Sequence, residues 1–364
     1  MSKRYPNLLV DLNKLHHNAK IVFDLCKEKG IETTGVIKGF NGIPQIAAQM
    51  AKAGCKQLGS SRIEQLKEIK LSGFGIDTLL LRLPMLSELE EVVKYADISL
   101  NSQQVVLEKL NEIALDNGVK HHVILMRDLG DLREGVFEKE GFIELAKYVD
   151  KKLKGLVLEG IGTNLSCYGS IMPSVANMTE LIDNATKIEE IIGRPLRYVS
   201  GGGTTTLPLM YKGDLPKGIN HLRIGEGIIC ALDLPLYWDT EIEGLQTGVF
   251  TMEAEVIEVF KKPSYPVGEM CVNAFGEKPE YTDKGTRLRA LLGIGNKDVG
   301  SYTALIPHDP GIELVGASSD HLIIDIEEAD KEIEVGSILT FDLLYQGVLF
   351  ASDRCHMRIE LMDE

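Results

Sequence analysis

Thr33-Thr34-Gly35-Val36-Ile37-Lys38-Gly39-Phe40-Asn41-Gly42, followed by a helix-periodic run over 43–53 and then Gly54, is the stretch that decides the fold. A short apolar strand over 33–37 meets a glycine-bounded turn and then a helix that stops at a glycine, which makes one β-then-α unit. The same unit recurs on both sides. Before it, 7–10 reads as a strand and 12–29 as a helix ending at Gly30. After it, strands over 57–60, 78–83, 97–100, 122–127, 156–162, 197–200 and 221–224 alternate with helices over 62–71, 86–95, 103–117, 141–151 and 175–192. Repeated β-then-α units imply a parallel sheet. About eight strands over roughly 230 residues predict a closed (β/α)8, TIM-type barrel. An open doubly wound sheet would place a glycine-rich phosphate loop after its first strand, and here that loop comes late.

The pattern changes near Leu245. Residues 251–259, Thr-Met-Glu-Ala-Glu-Val-Ile-Glu-Val, alternate with period two, the mark of a half-buried strand. Runs over 287–292, 321–326, 338–344 and 356–361 continue it, with few helical patterns between them. The expected organisation is a barrel over 1–240 and a C-terminal antiparallel β domain over 241–364, a sandwich or small barrel. The strand at 7–10 is a candidate to join the second domain.

Composition narrows the function. The chain has 364 residues and a formal net charge of −15, a surface that repels phosphate backbones and argues against nucleic-acid partners. No apolar run approaches membrane-spanning length, and the N-terminal residues lack a signal peptide's apolar stretch, so a cytoplasmic protein with no membrane partner is expected. Cys26, Cys55, Cys167, Cys230, Cys271 and Cys355 are scattered without zinc-ligand spacing and read mostly as small buried hydrophobes.

The chemistry-bearing residues lie at predicted strand ends, the active face of a (β/α)8 barrel. Burial at such an end lowers the pKa of Lys38 and frees its amine to attack an aldehyde. Ser200-Gly201-Gly202-Gly203-Thr204 can aim several backbone N–H groups at one anion, and a barrel commonly binds phosphate after strands seven and eight. In His221-Leu222-Arg223-Ile224-Gly225-Glu226-Gly227, Gly225 and Gly227 extend that nest. Arg223 is suited to a ring nitrogen, which it would keep unprotonated, or to a structural ion pair. Arg133, in Asp128-Leu129-Gly130-Asp131-Leu132-Arg133-Glu134-Gly135, suits a phenolic oxygen or substrate carboxylate, or an ion pair with Asp131 or Glu134. Asn164, in Gly162-Thr163-Asn164-Leu165-Ser166-Cys167-Tyr168, could lie over a ring or cap a turn.

Taken together, these motifs resemble the alanine racemase family of pyridoxal-phosphate (PLP) enzymes, in which a (β/α)8 barrel joins a β domain. The resemblance runs along almost the whole chain in the family's motif order. It implies PLP on Lys38, Arg133 at the cofactor oxygen, Arg223 at the pyridine nitrogen, and Gly225 and Glu226 at the phosphate with Ser200, Gly202, Gly203 and Thr204. It implies Tyr345 as the C-terminal phosphate-binding tyrosine. It also implies a homodimer, in which Val315-Gly316-Ala317-Ser318-Ser319-Asp320 reaches the partner's active site. Departures are clear. Gly42 replaces the family's tyrosine and suggests extra room, Asn164 replaces a ring-stacking histidine, and Val272-Asn273-Ala274-Phe275-Gly276 lacks the second catalytic tyrosine. The Gly-Phe-Asn-Gly, Thr-Asn-Leu-Ser-Cys-Tyr and Ser-Gly-Gly-Gly-Thr segments are similar to those of the family's ornithine racemase branch. That implies a cationic amino-acid substrate, with Ser319 and Asp320 as candidate contacts and Asp320 facing the distal ammonium.

The expected activity is proton removal from the α-carbon and its return on the other face. Lys38 serves one face, and Cys271, Tyr302 or Tyr281 of the β domain serves the other. The alternatives are racemisation of alanine, serine or lysine, a lyase or aldolase of D-amino acids on the same fold, and a PLP-homeostasis protein. The last is typically a bare barrel, and the β domain counts against it. Such lyases commonly use a metal. His308, His321, Cys355 and His356 are ligand types without diagnostic spacing, and no metal is expected.

Overall fold

A computed structural model of the chain describes residues 3–273, 275–353 and 357–363. Packing divides the chain into two compact units, Leu15–Gln246 and Met1–Lys14 with Thr247–Glu364. This boundary lies six residues beyond the expected split at 240/241, and the first strand belongs with the C-terminal residues.

The larger unit is a closed barrel of eight parallel strands. With β1 at Asn7–Asp11 in the other unit, they are β2 (Glu32–Val36), β3 (Gln57–Ser60), β4 (Asp77–Leu80), β5 (Ile98–Asn101), β6 (His121–Met126), β7 (Leu156–Gly162), β8 (Tyr198–Ser200) and β9 (His221–Ile224). Each pairs with the next, and β9 closes on β2 with Gly35 opposite Ile224. The helices before and between them are α1 (Leu12–Glu28), α2 (Pro44–Ala53), α3 (Ile63–Leu71), α4 (Leu89–Tyr95), α5 (Gln104–Asp116), α6 (Lys139–Lys152), α7 (Val175–Ile192) and α8 (Leu207–Tyr211); after β9 come α9 (Glu226–Ile229) and α10 (Asp233–Trp238). Local chemistry sets their ends. Gly54, at φ 106°, ends α2 in the left-handed region that a Cβ disfavours. Ser174 caps α7 by accepting from the Asn177 backbone.

Strands covered on both faces are buried throughout, as in β3, β5 and β9. Leu79, Ile98, Leu100, Ile124, Met126 and Tyr198 form one apolar cluster. The interior also carries satisfied polar groups. His221 is held between Thr34 Oγ1 (2.9 Å) and Ser200 Oγ (2.7 Å). Gln57 donates to the Tyr198 hydroxyl (2.9 Å), and His121 Nε2 lies 2.8 Å from Ser99 Oγ. Gly160 has a packing reason, since a Cβ there would come within 2.2 Å of the Tyr198 carbonyl on β8.

The smaller unit is an eight-stranded, mainly antiparallel sheet made of β1, β10 (Phe250–Pro263), β11 (Thr286–Leu292), β12 (Leu305–Pro307), β13 (Glu313–Ala317), β14 (Leu322–Asp325), β15 (Ile338–Leu343) and β16 (Arg358–Met362). Its main path runs β12-β15-β10-β11-β14-β13, so it is one sheet where a sandwich or small barrel was expected. β1 lies antiparallel to β10 and parallel to β16. The long strand β10 makes this possible. Its first half pairs with β15 and β1, its second half pairs with β11, and the register shifts between Val256 and Glu258. Two short helices, α11 (Asn296–Val299) and α12 (Tyr345–Ala351), complete the unit.

Candidate active site

Lys38 follows β2 directly, in a 3-10 turn over Lys38–Phe40. Ile37 and Phe40 on either side are fully buried, which fixes the backbone and draws the lysine partly out of water. Burial is the main cause that lowers the Lys38 amine's pKa; Arg133 adds to the fall, while Cys167, Glu226 and Glu134 oppose it. The turn after it depends on Gly42, at φ 66°, where a Cβ would come 2.7 Å from Gln65 Cβ. Gly42 therefore does not open room for substrate. Gln65 fills that space, accepting from Ser60 Oγ at 2.5 Å and donating to Asn41 Oδ1 at 3.4 Å.

The loop after β6 is built around buried Asp128, whose Oδ1 accepts from the Gly130 and Leu132 backbones at 2.9 and 3.1 Å. Gly135, at φ 119°, closes it, since a Cβ would strike the Asp128 nitrogen. Arg133 pairs with Glu134, one N–H···O distance being 2.7 Å. Asp131, the other expected partner, instead accepts from the Tyr168 and Ile171 backbones and pins the loop after β7.

Arg223 on β9 is the most enclosed cation of the site. It donates to Ser200 Oγ, to the Thr163 carbonyl at 2.7 Å and to Asn164 Oδ1 at 2.5 Å. Burial pushes its pKa down to about 10, so it stays charged at neutral pH. Asn164 also donates to Glu134. An unbroken polar path thus runs Arg133–Glu134–Asn164–Arg223–Ser200–His221. Asn164 bridges two charged groups, Glu134 and Arg223.

The glycine-rich segments after β8 and β9 meet. The Gly227 backbone donates to Thr204 Oγ1 at 3.1 Å, and the Arg223 backbone to the Gly202 carbonyl at 2.9 Å. Gly203 and Gly225 are forced by close backbone approach: a Cβ at either would lie 2.8 Å from a carbonyl oxygen, that of Arg223 or of Val36. Glu226 follows at once, and its carboxyl is pushed up to about 8 by burial, by the Asp233 charge and by a hydrogen bond with Asp233.

The barrel unit therefore gathers Lys38, Arg133, Asn164, Ser200, Gly202, Gly203, Thr204, Arg223, Gly225 and Glu226 at the C-terminal ends of β2, β6, β7, β8 and β9. The other predicted residues belong to the β unit. Cys271 is exposed between β10 and β11, and Tyr302 is half-buried, its backbone donating to Asn296 Oδ1 at 2.8 Å. Tyr281 meets Tyr265 edge-on at 6.3 Å, Ser319 and Asp320 are exposed between β13 and β14, and half-buried Tyr345 begins α12. His308 bonds Asp342 at 2.8 Å. Among the described residues no group of three or more His, Cys, Asp or Glu could hold a metal ion; Cys355 and His356 lie outside those residues. Sequence reasoning missed Glu134 as a bridge, Cys167 as a neighbour of Lys38 and Arg133, and Asp233 as the partner of Glu226.

A desolvated lysine, a fixed guanidinium and a glycine-lined turn at one barrel mouth define a class of (β/α)8 enzymes that hold a phosphorylated aldehyde cofactor through an amine. The chain belongs to the family described as alanine racemase, N-terminal domain, whose sequence profile matches residues 10–232. Enzymes of this family depend on PLP. The chain is 41% identical to an ornithine racemase of Acetoanaerobium sticklandii over 345 residues, covering 95% of this chain and 96% of that protein. It is 39% identical to a lysine racemase of Thermotoga maritima over 347 residues, with 95% and 96% covered. Its fold matches a crystal structure of alanine racemase from a D-cycloserine-producing Streptomyces lavendulae with a TM-score of 0.77 at 14% identity, over 100% of this chain and 98% of the other.

Proposed function

We infer that this chain is a PLP-dependent racemase of a diamino acid, interconverting L- and D-ornithine, with Lys38 as the residue that carries the cofactor. The observation that carries the substrate is the near-full-length likeness to an ornithine racemase and a lysine racemase. Both names denote amino acids with a second ammonium group, and both denote racemisation rather than lyase or aldolase chemistry. Lysine is the second substrate reading, favoured by the Thermotoga maritima relative.

The residues at the mouth fit PLP. Lys38 offers a low-pKa amine to the aldehyde. Arg223, with three protein acceptors already satisfied, presents a charge that cannot take up a ring proton. Arg133 is assigned to the phenolic oxygen or the substrate carboxylate. Ser200, Gly202, Gly203, Thr204, Gly225 and Glu226 line the turns assigned to the phosphate. When bound, PLP supplies an electron-withdrawing ring that weakens the substrate's Cα–H bond. The Nζ of Lys38 then takes or returns the α-proton on one face. The Arg133–Glu134–Asn164–Arg223 path holds both guanidiniums in place. The opposite proton is assigned to the β unit of a second copy, where Cys271, Tyr302 and Tyr281 have the right chemistry and Ser319 and Asp320 are the substrate contacts. The active assembly is accordingly a homodimer, and the protein acts in the cytoplasm on a small molecule. No helix among the described residues is long and apolar enough to cross a membrane.

The test is a panel of L-ornithine, L-lysine, L-alanine and L-serine in deuterated solvent. Ornithine is expected to exchange its α-hydrogen and lose optical rotation fastest. Exchange with alanine alone would overturn the diamino-acid reading.

A further inference from the structure

The barrel has a second opening, at the strand N-termini, that plays no part in the chemistry above. A cavity of about 350 Å³ lies there, lined by residues at the starts of β4, β5 and β6 and by Arg197 just before β8. The strands are parallel, so this end is the far one from Lys38 and from the turns after β8 and β9. That face of such a barrel usually serves stability, and most of its ionisable groups do so here. Asp97 accepts from the Thr78 backbone at 2.7 Å and from the Thr78 hydroxyl at 3.0 Å, and it pairs with Lys70. His122 bonds Glu159 at 2.6 Å, His121 bonds Ser99 at 2.8 Å, and Lys120 donates to the Lys154 carbonyl.

That leaves one acid and one guanidinium. Among the described residues the Asp77 carboxylate has no hydrogen-bond or ion-pair partner. Arg197 lies over the Tyr198 ring, 4.7 Å from its centroid, and among the described residues its nearest carboxylate is that of Glu32, at 4.0 Å. Gln57 fixes the Tyr198 hydroxyl at 2.9 Å, so the ring beneath Arg197 is held while the guanidinium keeps its N–H donors for a ligand. β4 and β8 are four strands apart in a ring of eight, so Asp77 and Arg197 stand on opposite sides of the opening and do not pair with each other. We propose that this opening is a second binding site, for a small zwitterionic amino acid whose carboxylate is taken by Arg197 and whose ammonium is taken by Asp77. A planar guanidinium receives a carboxylate through two parallel N–H···O bonds. An anion alone leaves Asp77 without a partner, and a cation alone leaves Arg197 without one; a molecule with both charges answers both. Val93 and Val119 on the wall give apolar contact to a short side chain. The site is independent of how Lys38 acts.

The experiment uses the holoenzyme reduced with borohydride, which fixes the cofactor covalently and removes the aldehyde function that captures amino acids at the catalytic end. Equilibrium dialysis with radiolabelled glycine then counts the molecules bound per chain, with acetate, methylamine and inorganic phosphate as competitors. Saturable binding of a single glycine per chain is expected, each competitor being weaker than unlabelled glycine by about tenfold or more, the scale of a lost hydrogen bond to a charged group. Arg197→Gln and Asp77→Asn should each weaken glycine by about the same factor. Both side chains are exposed and far from Lys38, so the unreduced variants should racemise with unchanged kcat and KM, which separates this site from the catalytic one. The competition result decides the matter if a variant does not fold. Absence of saturable glycine binding, competition by acetate, methylamine or phosphate as strong as by glycine, glycine binding unchanged in either variant, or racemisation lost together with glycine binding overturns the proposal.

Discussion

The mouth of the barrel and its interior each hold ionisable side chains that burial has displaced. At the mouth, Lys38 and Glu226 feel each other, and Lys38 and Arg223 both feel Arg133, Glu134 and Cys167 in the loops after β6 and β7. In the interior, burial drives the pKa of His121 to about 4 and that of His221 to about 3, and each imidazole is tied to hydroxyls. The interior histidines are held neutral mainly by burial, whereas Lys38 and Arg223 at the mouth are both set against the charges of Arg133 and Glu134. A displaced pKa is thus a weak marker of a site by itself. What distinguishes the mouth is its place at the strand C-termini. His221 stands between the two regions, because Ser200 links it to Arg223.

The contrast is sharpest at Lys38. Lys38→Ala is expected to abolish racemisation and the borohydride-reducible attachment of PLP, with the fold intact by circular dichroism. Arg223→Gln should lower kcat by about a hundredfold, the scale seen when a placed charge-stabilising donor is lost, and should shift the visible absorption of the bound cofactor. His221→Asn tests the intermediate position. It should lower stability by about 1–3 kcal/mol through the lost bonds to the buried Thr34 and Ser200 hydroxyls and also reduce kcat. His121→Asn should cost a similar amount in urea unfolding with kcat unchanged, since its partner Ser99 belongs to β5 and touches none of the site residues. A kcat loss in His121→Asn comparable to that of His221→Asn would break the division between mouth and interior.

Acid stability carries the same contrast with a definite sign. The folded pKa values of both histidines lie below the unfolded value of about 6.5, so the unfolded chain binds more protons between the two. Their contribution is fully present above about pH 6.5 and is lost as pH falls toward the folded values of about 4 and about 3. Unfolding measured across this window should take up one proton fewer in His221→Asn. The smallest effect is expected at Gly42. Gly42→Ala must adopt a positive φ against Gln65 and should destabilise by about 1–2 kcal/mol, with little change in substrate preference.

The barrel was legible because its elements are punctuated. β7 over Leu156–Gly162 and α7 over Val175–Ile192 have the boundaries that their periodicity implies, with Ser174 and Gly193 as the helix stops. Residues on strand ends were legible as a group for the same reason: once the strands are placed, Lys38, Asn164, Ser200 and Arg223 must share a face. Relations across loops were not. Nothing in the spacing of Glu226 and Asp233 marks them as electrostatic neighbours. Glu134 beside Arg133 looks like a local ion pair, and only the geometry shows its second bond to Asn164. Gly42 was misread because a missing side chain suggests space, while the void is filled by a residue twenty-three positions later. β1 repeats the β-then-α pattern of the barrel and was also a candidate for the β domain; its register belongs to β10 and β16, a pairing set by residues more than two hundred positions away.

The central claim is that Lys38 carries the cofactor with which this chain racemises a diamino acid. The most direct measurement incubates the holoenzyme with L-ornithine in deuterated solvent, follows α-deuterium incorporation and D-ornithine formation, and then reduces a parallel sample with borohydride for peptide mass spectrometry. The account predicts D-ornithine carrying α-deuterium and a single pyridoxyl adduct on Lys38, both absent from Lys38→Ala. An adduct on a different lysine, or D-ornithine formed undiminished by Lys38→Ala, would contradict it.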